Sequence, residues 1–316
     1  MRFLHISLAA LLMVPALALG GSLAYLTCDP SPPSGACAAS SLQLASRDLT
    51  TGATSVLARF PNASLDTLGL SASAINEAED ALFISLVAAD GASGELVRYS
   101  LSQHAIVARV AAPACGFLAV VDAASLVCLT DAPYYGVDGS SYVLRVDVGS
   151  GVATHLATWK GSPVPEDVVA VLDASKGVLY AVLLDEAADQ ELILGWHATT
   201  GKQTSQVLVP DAIDFLNAVW DSSSARVLGT LNNRTRQTRD FRVLDLAQGT
   251  SISISHALQN YTTVYGIAAA APALRAVFFS AYKAKGVHLV GLEDSHGRVV
   301  YEKPADDLYT SIVYLP

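Results

Sequence analysis

Along this chain, short runs of alternating or β-branched apolar residues are separated by polar, glycine-bearing turns, a pattern that predicts strands rather than helices. Residues 142–148 and 241–246 are such runs, and each is followed by a tight turn and a second run, as in 152–159. Upstream of each hairpin lies another strand pair, seen in 168–172, the turn Asp173-Ala-Ser-Lys-Gly177 and 178–184. The unit is therefore four antiparallel strands.

The unit repeats. One turn recurs as Asp48-Leu-Thr-Thr-Gly52, Ser100-Leu-Ser-Gln103, Asp147-Val-Gly-Ser-Gly151, His197-Ala-Thr-Thr-Gly201, Asp245-Leu-Ala-Gln-Gly249 and Glu293-Asp-Ser-His-Gly297, with closing residues 51, 48, 50, 48 and 48 apart. A period near fifty residues signals a propeller or a solenoid. Aligning the first strands places a small residue at one position of every unit: Gly69, Ala119, Ala170, Ala218, Gly266 and Ser311. Small residues suit innermost strands that crowd a central channel. At the ends, 307–315 reads as a first strand with nothing after it, and 22–27 as a second strand with nothing before it. Joining them completes a sixth blade and pairs two open edges. The expectation is an all-β, six-bladed β-propeller of four-stranded antiparallel blades, closed by pairing the C-terminal strand with the N-terminal blade.

On these repeats the chain resembles the broad group of six-bladed propellers that includes TolB-like, NHL-like and gluconolactonase-like folds. The resemblance spans the whole stretch after residue 20 and rests on period and turns. The Gly-His to Trp-Asp pattern of WD40 repeats, the double glycine of kelch repeats and the Ser-x-Asp-x-Gly-x-Thr-Trp box of sialidases are missing. Trp220-Asp221 occurs once and reads as core plus turn.

Composition then narrows the setting. Apolar residues make up 52% and charged residues 15%, which calls for a large core, and the formal charge of -10 argues against nucleic acid as a partner. Residues 1–20 read as a signal peptide: Arg2 gives the positive start, 3–13 the apolar stretch and Ala16-Leu-Ala18 the small-residue cleavage pattern. Residues 21–316 are expected to form one propeller domain, secreted and with no membrane span. Export agrees with acceptor triplets for N-glycosylation at Asn62, Asn233 and Asn260, and with four cysteines. Local spacing favours Cys28 with Cys37. For Cys115 and Cys128, a turn at 122–125 sets Cys128 opposite Val120 and leaves Cys115 about 15 Å away along the strand. Register argues against that bond and export argues for it; the bond is the expectation, with the segment before Phe117 folding back.

Candidate chemistry falls in the loops. Asp66, Asp167, Asp214 and Asp307 precede or begin innermost strands, so their carboxylates are candidates to converge at the channel mouth on a divalent cation such as Ca²⁺. No other cofactor is expected. In gluconolactonase-like enzymes such a metal assists hydrolysis, so the resemblance implies a metal-dependent hydrolase or lactonase as the alternative function. No Gly-x-Ser-x-Gly elbow and no His-Glu-x-x-His stretch occurs, and no catalytic residue is assigned. Two loops suit recognition instead. Tyr134 and Tyr135 offer stacking surfaces, and Arg234, Arg236, Arg239 and Arg242 crowd one hairpin of an acidic protein, where guanidinium groups suit anionic glycans or acidic protein surfaces. The leading reading is a secreted binding or scaffolding propeller holding an extracellular protein or glycan on its loop face.

Overall fold

Alternating apolar strands separated by turns pack here as six sheets around one axis. The structure, a computed structural model, describes residues 21–28, 42–61, 63–64, 72–88, 93–131, 140–160, 169–185, 190–210, 213–261, 263–283, 286–304 and 310–315. Blade 1 runs from the axis outward as Thr310–Leu315, Ser22–Cys28, Leu42–Asp48 and Thr54–Arg59. Closure by the two ends of the chain is thus real, with Ser22 opposite Leu315 and Leu23 opposite Tyr314. Blade 3 (Phe117–Asp122, Ser125–Asp131, Ser141–Asp147, Ala153–Trp159), blade 4 (Ala170–Asp173, Val178–Asp185, Gln190–His197, Gln203–Leu208) and blade 5 (Ile213–Asp221, Arg226–Asn233, Thr238–Asp245, Thr250–Ser255) follow the expected order, as does blade 6 (Thr263–Ala271, Ala276–Lys283, Gly286–Glu293, Val299–Pro304).

Blade 2 departs from the simple repeat. Its innermost described strand is Ala72–Asn76, Gly69 lies outside the described residues, and a two-residue strand Ala63–Ser64 pairs with the far end of Ala81–Ala88. Gly94–Ser100 and Ala105–Ala111 complete it. Its outer turn closes on His104, one residue past Gln103, with φ 51° where other blades place glycine. Blade 6 shifts register between Tyr265 and Ala269, and Ala269 pairs with Phe278 and lines the channel.

The cores lie between blades. Leu49, Ala269 and Phe278 belong to the cluster joining blades 6 and 1, while Leu82, Ile84 and Leu44 belong to the one joining blades 1 and 2. Four further clusters fill the remaining interfaces, so each sheet is buried on both faces. A fully buried Leu or Phe contributes about 1.5–3 kcal/mol, and every blade depends on two neighbours for that burial.

Cys115 and Cys128 form a disulfide with Cα atoms 5.6 Å apart. Two features bring the two sulfurs within reach. A bulge between Ser125 and Leu126 places Cys128 opposite Leu118 instead of Val120. The chain before Phe117 also folds back, with the Gly116 N–H donating to the Leu129 carbonyl and the Cys115 N–H to the Ser85 hydroxyl. Cys37 and the side chain of Cys28 lie outside the described residues.

Tight turns hold the face opposite the long loops. Hydrogen bonds from the Thr51 N–H to Asp48, from the Ser100 hydroxyl to Asp80 and from the Ser150 hydroxyl to Asp147 hold those carboxyls below their ordinary range. Burial pushes Asp173 up, but bonds from Ser175 and Lys176 outweigh it and the net direction is down. Gly151 and Gly177 both have positive φ, 72° and 62°. They differ in surroundings: a Cβ on Gly151 would collide with the Ala111 carbonyl oxygen of the preceding blade, whereas one on Gly177 would meet nothing within 4 Å.

Two outcomes follow from the turns. Gly177→Ala should cost about 1–2 kcal/mol from the left-handed backbone alone, and Gly151→Ala distinctly more, read from urea denaturation; equal losses would contradict the interblade contact. Depressed native carboxyl pKa values stabilise the fold above the unfolded carboxyl range and lose that contribution as pH falls through it toward the native values. Unfolding midpoints should therefore hold steady from pH 7 to about pH 5 and drop below about pH 4, and Asp80→Asn with Asp147→Asn should shrink that drop. An undiminished drop in the double variant would count against these bonds.

Candidate ligand-binding face

A propeller has two faces, and here they differ in chemistry. The inner strands line a channel cavity of about 280 Å³ whose walls include Phe117, Ala119, Ala170, Ala218, Trp220 and Ala269. Five of the six expected small positions lie on innermost strands, and Ala119, Ala170 and Ala218 line the channel. The described wall is mostly apolar, with Ser73 and Tyr314 as its polar side chains.

Polar groups gather instead on the loop face of blades 5 and 6. The hairpin from Asn233 to Thr238 joins the two middle strands of blade 5. Its arginines are exposed because the hairpin projects past the sheet. Arg234 reaches back to form an ion pair with Asp214, and the Asn232 side-chain amide donates to the other oxygen of that carboxylate at 3.1 Å. Two candidates that sequence reasoning assigned to different sites, one to a cation and one to an anion, are thus brought together. Glu191 of blade 4 stands nearby: burial pushes its carboxyl up, the Asp214 charge adds to the rise and the Arg234 charge opposes it.

Arg239 donates to the Tyr261 carbonyl oxygen. Arg242 and His256 converge on the buried Asp240, at 3.2 Å and 2.6 Å. Tyr261 is buried, with its hydroxyl pushed up to about 12, first by burial and then by the Glu302 carboxylate. Lys283 lies 5.1 Å above its ring and 2.7 Å from Glu302, and His288 is 3.2 Å from the same carboxylate. Sequence reasoning missed this cluster because Tyr261, Lys283, His288 and Glu302 sit on four separate segments with no common motif.

Between these networks opens a cavity of about 350 Å³ lined by Asn232, Arg234, Gln237, Arg239 and Gln259. Two guanidinium groups and three amides make up its described lining, and the Asp214 carboxylate stands behind Arg234 and Asn232. Arg236 stays outside that lining, although its N–H donates to the Asn233 side chain at 2.9 Å. Asn233 is half-buried and Asn260 exposed, and each is the chain neighbour of a cavity residue. Asn62, Tyr134, Tyr135, Asp66, Asp167 and Asp307 lie outside the described residues. Among the described residues, no group of three or more His, Cys, Asp or Glu is placed to hold a metal ion. No helix among them is long and apolar enough to cross a membrane.

No sequence family matches the chain, and no curated protein sequence does. Solved structures do. TolB from Acinetobacter baumannii aligns with a TM-score of 0.62 at 10% identity, covering 94% of this chain and 67% of that one. A chain of a nidogen/laminin complex gives 0.62 at 10%, covering 94% and 99%. The periplasmic gluconolactonase PpgL of Pseudomonas aeruginosa gives 0.54 at 13%, again covering 94% and 99%. At these identities the likeness is one of fold: a β-propeller shared with TolB-like and lactonase-like proteins, carrying no signature of one family.

Proposed function

We propose that this chain is an exported binding propeller that holds an anionic carbohydrate or an acidic protein surface on the loop face of blades 5 and 6. The observation that carries the reading is the cavity in which Arg234 and Arg239 stand together with three amide side chains and no carboxylate among the described lining residues. Guanidinium groups bind carboxylate, sulfate or phosphate oxygens in pairs of parallel hydrogen bonds, and amides complete the contact to neutral oxygens of the same ligand. Arg234 is 62% exposed at the side chain, so an incoming anion can compete with Asp214 for it. In a protein of formal charge -10, this is a local reversal of sign that favours a specific anion over general attraction.

Export is supported by the buried Cys115–Cys128 disulfide, a bond favoured in oxidising compartments, together with the signal-like residues 1–20. Asn233 and Asn260 flank the cavity, so glycans on either would cover it. The binding test therefore uses protein carrying Asn233→Gln and Asn260→Gln.

On arrays of neutral and acidic glycans and of acidic peptides, acidic ligands should be retained selectively, and retention should fall as salt rises. Arg234→Ala should weaken it about tenfold, the equivalent of one charge-assisted contact, without lowering the thermal midpoint. Binding that survives Arg234→Ala and vanishes in Tyr134→Ala/Tyr135→Ala would move the site to blade 3, and no retention on any array would end the reading.

A further inference from the structure

A second cavity opens on the face opposite the loops, in the seam between blades 4 and 5. It measures about 400 Å³, and its walls come from the inner turn of blade 4, the inner turn of blade 5 and the two outer strands of blade 5. Apolar contact is supplied by Trp220, Leu244 and Leu246, which belong to the cluster joining the two blades.

One buried polar side chain in this wall has no partner. Tyr180 is 4% exposed and lines the cavity. Its cross-strand neighbour is Gly195, where a Cβ would stand 3.0 Å from a carbon of the Tyr180 ring, so the missing side chain makes room for the ring. The Tyr180 hydroxyl forms no hydrogen bond to any described residue, whereas the hydroxyl of the equally buried Tyr261 bonds Glu302. Burial pushes the Tyr180 hydroxyl up, the Lys176 charge opposes the rise, and the Asp173 and Asp245 charges add to it. A buried hydroxyl without a partner is costly unless water or a ligand supplies one.

The charges of the lining cancel, since Asp173 and Asp245 are matched by Lys176 and Arg226. Lys176 Nζ lies 3.0 Å from Asp173 on a side chain 59% exposed, so the ammonium keeps N–H donors for a guest. The exposed Asp245 carboxylate accepts one turn bond, from the Gln248 N–H at 3.3 Å, and keeps lone pairs. Half-buried Trp220 adds an aromatic surface. A turn-face cavity of about 290 Å³ at blade 3 lacks these features: no aromatic residue lines it, and its Arg145 is already paired with Asp122.

We infer that this seam binds a neutral monosaccharide, whose hydroxyl groups bond the Tyr180 phenol, Lys176 and Asp245 and whose C–H face meets Trp220. Sugar hydroxyls both donate and accept, and the lining offers both kinds of group without net charge. A pyranose ring also presents apolar C–H groups, which suit an aromatic wall. A hydrocarbon guest would leave the polar groups unpaired, and an ion would meet equal numbers of both charges. The site lies on the face opposite the Arg234 cavity and does not depend on that cavity's role.

Saturation-transfer NMR of the full chain with glucose, galactose and mannose, beside glucuronate and glucosamine, tests this, with tryptophan emission as a second readout. At least one neutral sugar should bind and shift the emission. Tyr180→Phe keeps the ring beside Gly195 and removes only the hydroxyl; it should weaken that sugar about tenfold with the thermal midpoint unchanged or higher. Trp220→Phe should remove the emission response, although Trp159 and Trp196 remain. Failure of every neutral sugar to bind overturns the inference, and so does a preference for glucuronate or glucosamine. Binding unchanged in Tyr180→Phe overturns it as well, and its loss in Arg234→Ala would then place the sugar on the loop face.

Discussion

Every sheet in this molecule needs a neighbour on both faces, and a row of such sheets has two bare ends until something joins them. The join is the antiparallel pairing of Thr310–Leu315 with Ser22–Cys28. Those bonds place Tyr314 beside Leu23 and Tyr25 in the cluster that seals blade 6 against blade 1. Without them, blade 1 would lose its innermost strand and blade 6 one of its two partners. Because the cores are distributed around the ring, a breach at one seam exposes apolar surface at two blades, and the channel wall loses a side.

The two faces divide the remaining work. Short turns on one face are fixed locally, by carboxylates that accept from the residues two and three positions on and by glycines whose missing Cβ admits the neighbouring blade. The other face is open to recognition because its connections need not be short. There blades 5 and 6 build ion pairs and hydrogen bonds between strands, and Arg234 and Arg239 stand at one cavity. The channel between the faces is mostly apolar among the described residues, and the charged side chains sit at the rim.

The repeat was legible because its turns use residues for stated reasons: aspartate accepts from the turn, and glycine takes positive φ. Where chemistry loosens, so does the reading. His104 takes a glycine conformation and blade 6 shifts register between Tyr265 and Ala269 because irregular turns and bulges leave no composition mark. The same bulge logic hid the reach between Cys115 and Cys128. Asp214 with Arg234 was invisible for another reason, since nothing in a sequence says that a carboxylate ahead of one strand meets a hairpin twenty residues on. Asp294 is the opposite case. In the outer turn of blade 6 it stands where Leu49, Leu101, Val148, Ala198 and Leu246 stand in the other blades, and there it is buried and paired with Arg275.

Closure can be tested by ending the chain at residue 309 and following amide hydrogen exchange alongside thermal unfolding. Ser22–Cys28 amides should lose their protection, and the single cooperative transition of the full chain should broaden or fall sharply. A truncated protein with protected Ser22–Cys28 amides and an unchanged midpoint would contradict it.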